Sequence, residues 1–119
     1  MPSTNWRCGR PDTFDARQID WELGLAEHTG MTTMRVFLQD QLWTQDSQGF
    51  LGRMDQFLAI AQKHHIRPVF VLFDSCWDAH PHLGKQKEPT PGVHNSGWVQ
   101  SLASTGWRTR PIIRNWKPM

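Results

Sequence analysis

No stretch of this chain is apolar enough, for long enough, to cross a bilayer as a helix, which needs about 20 such residues, and no membrane partner is expected. The first ten residues, Met1 to Arg10, are polar and lack the apolar core of a signal peptide. An export signal would have to come from an upstream segment. Cysteine is scarce: Cys8 and Cys76 are far apart in sequence, so neither a disulfide framework nor a zinc site is indicated. Two free thiols are the simpler expectation. Net charge is also small, at +2, too little to imply a nucleic-acid partner. The charge is unevenly placed, with Arg108, Arg110, Arg114 and Lys117 near the C-terminus and no acidic residue among them. Tyrosine is absent beside 7 tryptophans, an unusual balance for a domain that contains aromatics.

What is present suits one folded domain, because 119 residues at 38% hydrophobic and 20% charged lie outside the disordered range. Asp12 or Thr13 is positioned to cap a helix over 14–28. Ile19, Leu23 and Ala26 form its apolar stripe, and Gly30 is suited to end it. Residues 33–38 read as a strand, with Met34, Val36 and Leu38 on one face and Thr33, Arg35 and Phe37 on the other. Arg35 is expected at the strand end, facing a polar site or a carboxylate, because an unpaired charge in a short apolar strand is costly. Residues 39–48 read as a loop. A second helix is expected over 50–64, with Leu51, Met54, Phe57, Leu58 and Ala61 on one side. Lys63, His64 and His65 would meet the negative end of its dipole. Residues 69–73 form a continuous apolar run, typical of a strand buried on both faces of a parallel sheet. Helix and strand alternating in this way predict a parallel α/β fold.

Residues 74–101 are polar and rich in Pro, Gly and His. Following directly on a buried strand, they form a long loop at its C-terminal end, the face on which parallel α/β folds bind ligands. Trp77 and Trp98 suit stacking on sugar rings, and equally suit pinning the loop. Asp74, Asp78, Asn95 and His94 suit hydrogen bonds to hydroxyl groups. For Asp74 the site reading is the better one, because it stands just beyond a strand. His80 and His82 read as exposed loop histidines, since no further ligand completes a zinc pattern. Cys76, although near those histidines, reads as a buried structural thiol. No cofactor and no metal is called for.

Several stretches together resemble a known family. They are Met34-Arg35-Val36-Phe37-Leu38, Gln39-Asp40-Gln41-Leu42-Trp43, Asp55-Gln56-Phe57-Leu58-Ala59-Ile60-Ala61, Pro68 through Asp78, and Gly92 through Ser101. This pattern, covering residues 12–101, is similar to bacterial cellulase-like glycoside hydrolases of family 5 type, retaining enzymes built on a (β/α)8 barrel. The resemblance implies a partial barrel of about two βα units, namely the second and third strands of a TIM-type barrel, plus the long loop. A complete barrel needs about 250 residues. The resemblance further implies that Arg35 lies beneath the nucleophile and that the loop lines a sugar cleft. A polysaccharide or oligosaccharide of β-glucan, mannan or xylan type would be the partner. Both catalytic Glu residues of the family have no counterpart here, and Glu88, in a Pro- and Lys-rich stretch, is no substitute. A retaining glycosidase requires two carboxylates about 5–5.5 Å apart, so this chain is expected to be inactive alone. The rival readings are a non-catalytic carbohydrate-binding or interaction domain and, more distantly, a small α/β protein whose basic tail binds nucleic acid. A two-strand piece would also leave open sheet edges and a tendency to self-associate.

The resemblance stops at both ends, and a displaced reading frame accounts for it. A codon choice consistent with Met1 to Pro11, read one base out, spells AINQLEMWQA, which is similar to what precedes Asp12-Thr13-Phe14-Asp15 in the family. A codon choice for Leu102 to Met119, displaced by one base, spells PGVDGLADPAHYPQLEAY, again family-like. Segments 1–11 and 102–119 are therefore expected to be out of frame around a genuine segment, 12–101. Sequencing the DNA across the Pro11–Asp12 and Ser101–Leu102 junctions is expected to reveal a single-base shift at each. Clean reads in the present frame, with no family-like reading beside it, would sink the idea.

Overall fold

A computed structural model of the chain describes residues 10–85 and 87–101. Cys8, the basic tail and nearly all of the two flanking segments lie outside the described residues. Five elements follow one another: α1 (Ala16–His28), β1 (Thr33–Phe37), α2 (Asp40–Gln45), α3 (Ser47–Lys63) and β2 (Arg67–Val71). The fold is a small α/β unit, and none of its helices is long and apolar enough to cross a membrane among the described residues.

Helix α1 begins two residues later than its apolar pattern suggested. Asp12 is engaged by the Arg10 guanidinium, so the cap passes to Asp15, whose Oδ1 accepts from the N–H groups of Arg17 (3.0 Å) and Gln18 (3.1 Å). At the other end Gly30, at φ +84°, turns the chain as expected. The N–H of Gly30 reaches the carbonyl of Glu27 at 2.8 Å and that of Met31 reaches Ala26 at 3.0 Å, which satisfies the last helical acceptors. Helix α3 ends in the same motif, but His65 occupies the left-handed position at φ +56°. Its sequence carries no glycine to announce that stop.

The expected loop over 39–48 contains a helix instead. Gln39 Oε1 accepts from the N–H of Gln41 at 2.8 Å and starts α2, which carries Leu42 into the interior. Asp46 then caps α3, accepting from the N–H of Gly49 at 2.9 Å. The buried stripe of α3 is Phe50, Met54, Phe57 and Ala61. Leu51 and Leu58 were expected on that side but remain exposed, because no element among the described residues covers the flank on which they sit.

Strands β1 and β2 pair in parallel, Thr33 beside Arg67, Arg35 beside Val69 and Phe37 beside Val71. One face packs on the helices: Val36, with Met34, Leu38 and Phe70, meets Leu23, Ala26, Phe57, Ala61 and Ile66. Phe57 is central, and truncating such a side chain to Ala costs about 3–5 kcal/mol. Among the described residues no helix covers the other face, which the long loop reaches only at Phe37. This corrects the expectation for residues 69–73: the strand runs over 67–71, Val69 is 56% exposed, and Phe73 is 61% exposed. A strand is buried on both faces only where layers flank both sides of its sheet, and here helices cover one. With two strands the sheet does not close, and among the described residues no further strand pairs with either edge.

A charged clamp fastens α1 to the end of α3. The His64 ring stands over Gly24, where an added Cβ would come within 3.3 Å of its Cε1. Its Nδ1 lies 2.9 Å from Glu27 and its Nε2 lies 2.7 Å from Asp20. Lys63 also holds Asp20 at 2.7 Å, and His65 holds Glu27 at 2.8 Å. Two carboxylates on one imidazole require both ring nitrogens to donate, which only the protonated form can do. Hydrogen bonds to Glu27 and then Asp20 accordingly raise the His64 pKa above its ordinary value. Those from Lys63 and then His64 lower Asp20, and those from His64 and then His65 lower Glu27. The raised His64 contributes stability below about pH 6.5 and loses it as pH rises through its folded pKa. The lowered acids contribute above about pH 4.5 and lose it as pH falls through theirs. Maximal stability is therefore expected between about pH 4.5 and 6.5. Chemical denaturation across pH should show that maximum, with the alkaline decline flattened in His64→Gln. An unchanged pH profile in that variant would remove the clamp from the explanation.

Candidate functional site

Beyond β2 the chain makes its long excursion and returns to the strand ends. Asp74 and Ser101 form an antiparallel bridge, the N–H of Ser101 reaching the Asp74 carbonyl at 3.1 Å. A second bridge pairs Asp78 with Val99, and the N–H of Gln100 reaches the Asp78 carbonyl at 2.8 Å. Ser101 is buried. Its hydroxyl donates to the Leu72 carbonyl at 2.8 Å and accepts from the N–H of Asp40 at 3.3 Å. Gln39, only 1% exposed, donates through its side-chain amide to the Gln100 carbonyl while its oxygen caps α2. Gln41 fixes the loop further out by donating to the Pro81 carbonyl at 3.2 Å. Val99 fills a second apolar cluster with Leu42, Phe50 and Met54. The loop is thus closed by hydrogen bonds at its base.

That closure assembles a series of rings at the C-terminal ends of the strands. Phe37, the last residue of β1, meets Trp98 edge to face with centroids 5.1 Å apart. Trp98 lies 6.4 Å from Trp77, and Trp77 lies 5.4 Å from His94. The Arg35 guanidinium sits over the Phe37 ring, 5.3 Å from its centroid. Two loop residues adopt left-handed backbone: Trp77 at φ +74° and Asn95 at φ +49°. Such strain costs on the order of 1–3 kcal/mol and clusters at functional sites. Trp77 remains 42% exposed.

Of the six residues singled out from sequence, Arg35, Trp77 and Trp98 belong to this series. Trp98 is half-buried and pins the loop, whereas Trp77 presents its ring to solvent. Arg35 is not at the strand end facing a polar site. It occupies the middle of β1 on the uncovered face, and solvent with an aromatic ring beneath it relieves the cost of its charge. Asp74 and Asp78 shape turns: Asp74 Oδ1 accepts from the N–H of Cys76 at 3.0 Å, and Asp78 Oδ1 from that of His80 at 2.9 Å. Asn95 likewise forms a turn, its carbonyl accepting from the N–H of Trp98 at 2.9 Å. Cys76 is exposed rather than buried, because the turn closed by Asp74 holds it on the outside of the loop. Among the described residues no group of three His, Cys, Asp or Glu side chains is arranged to hold a metal ion.

Sequence reasoning did not single out Phe37, Gln39, Gln100 or Ser101. Phe37 shared the strand parity of Arg35, and that alternation was the signal for it. The other three carried none, being ordinary polar residues that meet only after the loop returns.

Replacing Ser101 by Ala removes one acceptor and one donor from a buried junction, a loss of about 1–3 kcal/mol. Ser101→Ala is expected to lower the unfolding midpoint and to red-shift tryptophan emission as Trp98 leaves Phe37. Ser75→Ala, at an exposed loop position, should change neither. Unchanged emission in Ser101→Ala would show that the ring series stands without the junction. Neither a known protein family, nor a curated protein, nor a solved structure matches the chain.

Proposed function

We propose that the chain is a saccharide-binding piece of a cellulase-like (β/α)8-barrel glycoside hydrolase, itself without hydrolytic activity. The observation that carries this reading is the ring series Phe37–Trp98–Trp77–His94 at the C-terminal ends of two parallel strands. Parallel α/β folds bind ligands at that end. An exposed indole offers an apolar face to the C–H side of a sugar ring. Asp74, Asp78 and Asn95, on the same loop, supply acceptors and an amide for hydroxyl groups. The order strand, helix, parallel strand and cleft loop agrees with the second and third βα units of such a barrel, and so does the family-like sequence over 12–101.

Catalysis is another matter. Retention needs an acid and a nucleophile facing each other across the scissile bond, and the motif positions that carry them in the family have no equivalent here. Arg35, which the family places beneath the nucleophile, instead lies free to meet a ligand. A purely carbohydrate-binding domain would use the same rings. It differs in ancestry rather than in what this chain does.

Titration with β-glucan, mannan and xylan oligosaccharides, followed by tryptophan emission and calorimetry, is expected to give saturable binding to at least one. No reducing ends should be released. Trp77→Ala should weaken that binding about tenfold, equivalent to roughly 1.4 kcal/mol. Release of reducing sugar, or no binding to any of the three, would overturn the proposal.

A further inference from the structure

We propose that the uncovered face of the β1–β2 sheet binds anionic saccharides, with Arg35 and Arg67 as the carboxylate-holding groups. The inference rests on the reading of the ring series as a saccharide platform, and extends it from neutral to acidic chains. Strand register puts Thr33 beside Arg67 and Arg35 beside Val69, so both arginines, each exposed, project from the face that no described helix covers. They stand on neighbouring strands two positions apart, which separates their Cβ atoms by about 8 Å. Neither guanidinium pairs with a carboxylate among the described residues, and neither strand contains an acidic residue. An unpaired guanidinium is a planar fork of donors matched to a carboxylate. Arg35 is already oriented, lying over the Phe37 ring that continues through Trp98 to Trp77. A chain seated on Trp77 and running back across the sheet therefore meets rings first and cations next.

Arginines beside aromatic rings also suit single-stranded nucleic acid. A nucleic-acid surface, however, draws its affinity from many phosphate contacts, and two guanidiniums on a chain of net charge +2 are few for that. A uronic-acid chain, with its charges spaced among apolar ring faces, fits better.

The test compares the full chain with Arg35→Gln/Arg67→Gln and with Trp77→Ala, using polygalacturonate fragments, unsubstituted β-glucan fragments of similar length and a single-stranded oligonucleotide. Each exposed ion pair contributes about threefold, so the unaltered chain should prefer the polyuronate about tenfold over the neutral glucan. Added salt should shrink that preference. The double arginine variant should lose the preference but keep its affinity for the neutral glucan, whereas Trp77→Ala should weaken both. Far-UV spectra should show that all three chains are equally folded. Because both arginines are exposed, their loss leaves the core intact. Equal binding of the two polymers overturns the inference and leaves the platform reading standing. So does a preference that survives the double substitution, which would place it in the basic tail. Tighter binding of the oligonucleotide overturns it in favour of nucleic acid, and no binding of either saccharide overturns the inference, the platform reading falling with it when mannan and xylan fragments also fail to bind.

Discussion

Two buried polar side chains close the long loop on the strands, and the candidate site depends on that junction. Gln39 lies between the end of β1 and the start of α2, and Ser101 lies where the loop comes home. Each bonds in two directions. Gln39 caps a helix with its oxygen and holds the Gln100 carbonyl with its amide, and Ser101 joins the Leu72 carbonyl to the Asp40 N–H. A buried polar atom without a partner is expensive, so the two halves of the junction require each other. Once it forms, Val99 drops onto Leu42, Phe50 and Met54, and Trp98 reaches Phe37. Without it the residues from Asp74 onward would have no reason to stay near the sheet.

The second constraint is that the sheet has only two strands. Helices α1 and α3 bury one face, giving a core around Phe57, Ala61, Leu23 and Val36. The opposite face holds Arg35, Phe37, Val69 and Val71 in a pattern that suits the inside of a larger sheet. Here Arg35 and Val69 meet solvent, Phe37 meets only the loop through Trp98, and no further strand pairs with either edge among the described residues. Open edges of this kind make the unit prone to pairing with other strands.

The clamp at His64 adds a condition to this small core. Helix α1 reaches the rest of the unit through one apolar stripe and through the charges at its Asp20 and Glu27 positions. Gly24 lets the imidazole lie against the helix between them. Protonation of this ring therefore adds to the packing of α1 on Phe57 and Ala61, a contribution that solvent screening keeps modest.

The sequence by itself determined four of the five elements, α1, β1, α3 and β2, and the class of fold. The periodicity of Leu23 and Ala26, the Gly30 stop, the alternation in β1 and the apolar run before Asp74 are local signals, and local backbone physics made them a parallel α/β unit. The same locality explains the failures. A polar stretch became α2 because Gln39 supplied a cap that only its distant bond to Gln100 holds in place. Leu51 and Leu58 were hydrophobic at helical spacing, yet only the packing decided that their flank had no neighbour. Trp77 and Trp98 were legible as candidate site residues by type, whereas their division into a solvent-facing ring and a pinning ring required the loop to close. Pairwise contacts such as Gln39 with Gln100, His64 with Asp20, and Phe37 with Trp98 join residues remote in the chain. No spacing rule encodes them, because the free energy that selects them appears only when the backbone brings those groups out of water together.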